Sequence, residues 1–208
     1  MPGTMSEADL VADLKVSLFD AATPFTSEAN DAAFKRFLQQ ALPDMQVKKP
    51  LTKLGQLELV AGTPRYAAAA DFASLKIDLW RDPAKLPRPW EATYPGALPQ
   101  VCPAWDGDAW WIQFEPAPTS AQISVLGATF KYYYFAKHVV AAAAADTTVN
   151  PQDRGLLLLR AQAEAMLGLA TRNAGKPVQL RDGLSGAPRN STPAAMFQTL
   201  MDLFKEAR

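Results

Sequence analysis

The segment 150–175, NPQDRGLLLLRAQAEAMLGLATRNAG, restricts the fold more than any other part of the chain. Both its ends carry helix signals. Asn150 suits an N-cap, Pro151 the first helical position, and Asp153 the first turn, where the peptide dipoles favour an anion. At the far end stand Arg172, then Gly175 where a left-handed C-terminal cap is wanted, then Pro177, which cannot continue a helix. Between them, Leu156, Leu157, Leu158 and Leu159 cover more than one face of a turn. A helix that is apolar nearly all round must be enclosed by protein. The second half is alanine-rich (Ala161, Ala163, Ala165, Ala170), so neighbours can approach closely. The pattern predicts one long central core helix.

The chain before it opens with two further helical patterns. Ser6-Glu7-Ala8-Asp9 reads as a capping box with Asp in place of Glu, followed by Leu10, Val11, Leu14 and Leu18 at helical spacing, giving a helix to about Ala22. Asp9, Asp13 and Asp20 lie off that stripe, as a solvated acidic face or one turned toward a partner or channel. Ser27 or Asn30 can cap a second helix whose stripe is Phe34, Phe37, Leu38, Ala41 and Leu42, with Pro43 as its expected end. Neither helix can fold alone, because each needs a third to cover its stripe.

From Lys48 the period changes. KLGQLELV reads as a strand, Ala61-Gly62-Thr63-Pro64 as a turn, and Arg65-Tyr66 as the start of a return strand. Leu75, Ile77 and Leu79 alternate with polar residues or tryptophan. Pro83, Pro87, Pro89, Pro95 and Pro99 mark an irregular excursion that carries Trp90 and Tyr94; such loops usually bind something or order on assembly. Asp106-Gly107 between two extended runs predicts a hairpin that places Trp110, Ile112 and Phe114 on one side and Trp111 on the other. Thr119 can cap a short helix ended by Gly127, and residues 129–140 form a last aromatic strand. The fold class is α+β: a small bundle of three to four helices (residues 1–47 and 141–208) with a β-rich insertion (48–140) between the second helix and the long one. Residues 178–190 are polar and turn-rich. Thr192-Pro193 then starts a final helix with Met196, Phe197, Leu200, Met201, Leu203 and Phe204 as its stripe. That helix either folds back on its own core or docks on a partner.

Chemistry-bearing residues are sparse. His138 is the single histidine and sits on an aromatic strand; Cys102 is the single cysteine, with no disulfide or metal partner in the sequence. Phosphate-cradling, dinucleotide and nucleophile-elbow motifs are absent. Gly183-Leu184-Ser185-Gly186 follows no apolar strand and reads as a turn. Trp110, Trp111, Tyr132, Tyr133 and Tyr134 could stack on sugars or bases, but alternation sends part of each cluster inside. Lys plus Arg balance Asp plus Glu at 21 each, which argues against a dedicated nucleic-acid binder. No apolar run approaches the roughly 20 residues needed to cross a bilayer. No secretory leader is apparent, so synthesis in the cytoplasm is expected. No enzyme activity, cofactor or metal is expected, and the pattern favours a protein whose task is contact.

The element order resembles the head-to-tail adaptor (head-completion, connector) proteins of tailed bacteriophages. Leu57 to Tyr66 with Ala70-Asp71-Phe72 looks like the strand, Gly turn, Tyr, x-Asp-Phe segment of these proteins and of the tail tubular proteins of short-tailed phages. Tyr132-Tyr133-Tyr134 followed by Asp153-Arg154-Gly155-Leu156-Leu157 is similar to their strand leading into the core helix. Ala68-Ala69-Ala70-Asp71 departs from the usual Leu-Pro-Ala-Asp. The resemblance implies a structural virion protein at the head–tail junction of the particle, a homo-oligomeric ring, dodecameric in the family. It would join the portal protein to a neck or tail protein and let DNA pass its lumen without sequence-specific contacts. It further implies subunit packing through Leu156, Leu157, Leu158 and Leu159, portal docking through Met196, Phe197, Leu200, Met201, Leu203 and Phe204, and tail-side contact through Trp90, Tyr94, Trp110 and Trp111. Other readings are a tail tubular or stopper protein, and a carbohydrate-binding module using the tryptophans.

Overall fold

The computed structural model describes residues 4–80, 86–174 and 192–207. The chain divides into two units: a helical unit of residues 4–49 with 138–174 and 192–207, and a β unit of the described residues within 50–137. Each has its own hydrophobic core. The fold is α+β. The chain passes between units at Lys49/Pro50 and Lys137/His138, two and three residues inside the boundaries expected at 47/48 and 140/141.

The helical unit contains α1 (Glu7–Leu18), α2 (Ala32–Lys48), α4 (Arg154–Asn173) and α5 (Pro193–Glu206). Ser6 caps α1 by accepting the Asp9 N–H. This helix stops at Leu18, not near Ala22, and Phe19–Phe25 continues as a 3-10 helix. Phe19 makes the join at φ 49°, ψ −132°, a backbone region that side chains other than glycine rarely adopt. The Pro43 expectation is corrected, because α2 runs through that proline to Lys48. Pro43 and Gln39, whose carbonyl loses its partner, are both exposed, so the freed group is open to solvent. The last turn buries Met45 fully and brings Asp44 to Arg160. Burying a methionine is worth about 1.5–3 kcal/mol, comparable with the roughly 3 kcal/mol proline penalty.

α4 is the axis of this unit. From Leu156 to Met166 no residue is exposed, and the helix packs against α1, α2 and α5. Asn150 accepts the Gln152 N–H, Pro151 starts a 3-10 turn, and α4 follows. The proposed C-terminal signals Gly175 and Pro177, like the turn-rich segment 178–190, lie outside the described residues. Two buried arginines staple the helices. Arg154 donates to Thr4 O and Asp9 O and pairs with Asp13; Arg160 pairs with Asp44 and Glu164, each at 2.5 Å. Phe25, Phe34 and Phe37 meet edge to face, the closest centroids 4.9 Å apart.

In the β unit, the described strands form two antiparallel three-stranded sheets. One orders β1 (Leu51–Glu58), β6 (Thr129–Ala136) and β3 (Phe72–Asp78). The other orders β2 (Arg65–Ala67), β5 (Trp110–Glu115) and β4 (Gln100–Trp105). The last aromatic strand ends at Ala136, four residues before the expected Val140. The sheets face each other through aromatic rings: Phe114 on β5 meets Phe130 on β6 at 4.9 Å, and Trp80 lies against both. Gly55 is demanded here. It sits opposite Tyr132, and a Cβ would fall 2.5 Å from the ring's Cζ. The helix α3 (Ser120–Leu126) has the complete Thr119/Gln122 capping box, and buried Gln122 also donates to Ala97 O, tying down the end of the proline excursion.

Candidate docking surfaces

The residues that carried the family resemblance hold the β unit together. Tyr66 donates its hydroxyl to Val60 O and accepts the Val60 N–H, clasping the turn in which Gly62 takes φ +80°. Asp71 accepts from Tyr134 Oη at 2.8 Å and pairs with Lys53 at 2.6 Å. Burial opposes ionisation of Asp71, but the hydrogen bonds from Lys53 and Tyr134 win and hold its carboxyl below the usual range. The same arrangement, burial first, then the hydrogen bond to Asp71 and then its charge, pushes Tyr134 up to about 12. Phe72 is fully buried. The segment is therefore a structural clasp.

His138 is likewise a structural hub. Its Nε2 lies 2.7 Å from Lys49 O, so that nitrogen carries the proton, and Nδ1 lies 3.3 Å from Thr148 Oγ1. Cys102 is half-buried on β4. Among the described residues, no group of three His, Cys, Asp or Glu side chains is placed to hold a metal ion. No helix among them is long and apolar enough to cross a membrane.

The sequence-selected contact residues differ in exposure. Leu157 is fully buried, and Leu156, Leu158 and Leu159 pack half-buried against the same helical core. Leu157 is thus committed within the subunit, while Leu156, Leu158 and Leu159 keep part of their surface open. Along α5, Phe204 is buried in the helical core, and Phe197, Leu200 and Met201 are half-buried. Met196 and Leu203 stay 45% and 49% exposed along one flank. Lys48 at the end of α2 donates to Phe204 O and Lys205 O and lies 5.0 Å from the Phe204 ring centre, so it caps the C-terminus of α5 with a cation. Of the two options for this helix, folding back on its own core is the one seen.

The aromatic residues divide the same way. Trp111 donates its indole N–H to Asp106, which also accepts the Ala109 and Asp108 N–H groups that hold its carboxyl below the usual range. Trp110 is half-buried between Phe72 and Trp105. By contrast, Trp90 is 76% exposed, with the Arg88 guanidinium 5.4 Å from its ring centre, and Tyr94 is exposed on the same loop. Pro83 lies outside the described residues. Sequence reasoning missed one apolar patch. On the outer face of the β1–β6–β3 sheet, Leu54, Tyr133 and Ile77 are direct cross-strand partners, and all three are exposed. Strand alternation was visible, but only the register places the three in one row. The acidic face of α1 is partly used inside the subunit: Asp13 pairs with Arg154, and Thr4 hydrogen-bonds Asp9, whose carboxyl is thereby held below the usual range.

The chain matches no protein-family model and no curated protein.

Proposed function

We propose that this protein is a structural adaptor of a tailed-bacteriophage head–tail junction: a ring of identical subunits, dodecameric by resemblance, that joins the portal to the neck or tail and lets DNA pass. The observation that carries this reading is the division of the chain into a helical unit ending in an amphipathic helix and an inserted β unit with its own apolar contact patches. One end is then available to the portal and the other unit to the tail side. A formal charge of zero suits a lumen through which DNA must slide, since each neutralised phosphate adds to binding. Portal contact falls to Met196 and Leu203, which α5 leaves facing outward. Tail-side contact falls to Trp90, Tyr94 and the Leu54–Tyr133–Ile77 row.

The test is a tagged pull-down from cells producing the whole particle, with the eluate imaged by negative stain. Rings carrying this protein with a larger portal subunit are expected. Met196→Glu with Leu203→Glu should remove the portal and leave the fold intact, because neither side chain is in the core. Unimpaired portal recovery by that variant would refute the docking role. The exposed Trp90 loop favours a second reading, a tail tubular or stopper protein, which would recover tail components with no portal present. Affinity for a sugar polymer that is lost on Trp90→Ala would favour a binding module instead.

A further inference from the structure

Trp111 is a large apolar side chain that the core of the β unit does not use. On β5 the buried residues are Ile112 and Phe114, so Trp111, Gln113 and Glu115 project from the opposite, outer face of the β2–β5–β4 sheet. Register sets Trp111 between Ala67 on β2 and Ala104 on β4. Trp111 is half-buried, and two alanine methyls are too small to cover an indole, so ring surface is left open above the sheet. Asp106 accepts the indole N–H and is itself fixed by the Asp108 and Ala109 N–H groups, which anchors the ring at one edge.

The next row on the same face is polar. Arg65 is the cross-strand partner of Gln113, and its Nε donates to Gln113 Oε1 at 2.9 Å. Gln113 Nε2 in turn donates to Glu115 Oε1, one step further along β5. The three planar groups hold one another in place, and hydrogen-bonding capacity is left at both ends, as donors on the remaining Arg65 N–H groups and as an acceptor on the second Glu115 oxygen. Such a network on an exposed sheet face adds little to stability, but it presents oriented donors and acceptors beside an open indole.

That combination suits a ligand with an apolar face and many hydroxyls. A pyranose ring has both. Its C–H bonds turn a slightly positive face to the negative face of the indole, and its hydroxyls donate and accept. A nucleic-acid strand would also stack, but Asp106 and Glu115 outnumber Arg65 around the ring and repel phosphates. Trp111, Gln113 and Glu115 follow one another at steps of about 7 Å, so the face is longer than one sugar ring. We propose that the outer face of the β2–β5–β4 sheet binds a neutral oligosaccharide, with one ring stacked on Trp111 and the next held by Arg65, Gln113 and Glu115. The site lies within the β unit, uses neither Trp90 nor Tyr94, and does not rest on the adaptor reading.

The test titrates the full-length, 15N-labelled protein with four neutral probes, the hexaoses of the cello, malto, manno and chito series, and with heparin and single-stranded DNA as polyanions. Of the five indole N–H resonances, that of Trp111 is expected to move with at least one hexaose while that of Trp90 stays in place. This readout needs no substitution. Trp111→Ala should lower the affinity about tenfold, the loss of one stacked ring, and Trp111→Phe should lower it less. Gln113→Ala should weaken binding with the melting temperature unchanged. A Trp111 resonance that moves with none of the four, a response at Trp90 instead, or undiminished affinity in Trp111→Ala would overturn the site. Tighter binding of heparin or DNA than of every hexaose would overturn the choice of a neutral sugar.

Discussion

Tyr134 and Asp71 set the behaviour of the β unit at both ends of the pH scale. Folded Tyr134 keeps its proton up to about 12, whereas the unfolded chain ionises near 10.0. Between these values the unfolded state has lost a proton that the folded state retains, so stability falls as pH rises through that window and is whole below it. Tyr132 shifts in the same direction, mainly through burial, so Tyr134 accounts for part of the slope. Tyr134→Phe should flatten the alkaline decline seen in urea melts above pH 10.0, at a cost of about 1.5 kcal/mol near neutrality from the lost hydrogen bond to Asp71. An unchanged alkaline slope would refute the assignment. Asp71 works in the opposite sense. Its carboxyl is lowered from 3.8, so its contribution is present above that value and is lost as pH falls through the folded one.

At the scale of elements, α5 depends on a residue that no pattern singled out. Its stripe was legible, but which flank meets the core was not, because periodicity gives a face and not a neighbour. Lys48 decides the geometry at one end by capping the Phe204 and Lys205 carbonyls. Lys48→Ala should weaken the docking of α5 by about 1 kcal/mol. Hydrogen exchange would show faster exchange at Leu203 to Glu206 with little change in α1 and α2; uniform loss of protection would point to global destabilisation instead. The other elements show where sequence signals suffice. Thr119 and Gly127 bound α3 as read, and the Asp106-Gly107 turn gives the β4–β5 hairpin, because these signals are satisfied within a few residues. Pro43 misled because a proline's cost depends on whether its turn faces water, which tertiary packing settles. The pairings of Arg154 with Asp13 and of Arg160 with Asp44 could not be read, because those partners lie 141 and 116 residues away in sequence.

At the scale of the molecule, the α+β class and the inserted β unit could be read from the change of period near Lys48. The candidate surfaces could not, since exposed apolar positions such as Leu54, Ile77 and Phe19 look like core until register and backbone angles are known. The passage between the units has a further consequence. Lys49 and His138 are hydrogen-bonded at 2.7 Å, and one step further in, Leu51 pairs with Ala136. The insertion therefore begins and ends at a single point, as a cassette does. Replacing residues 50–137 with a short Gly/Ser turn should leave a helical unit that unfolds cooperatively with its helical circular dichroism kept, and residues 50–137 made alone should fold around their aromatic core. Failure of both pieces would show that the units fold only as one. If that junction tolerates exchange, a lineage could refit the β unit by trading the cassette while leaving the helical half untouched.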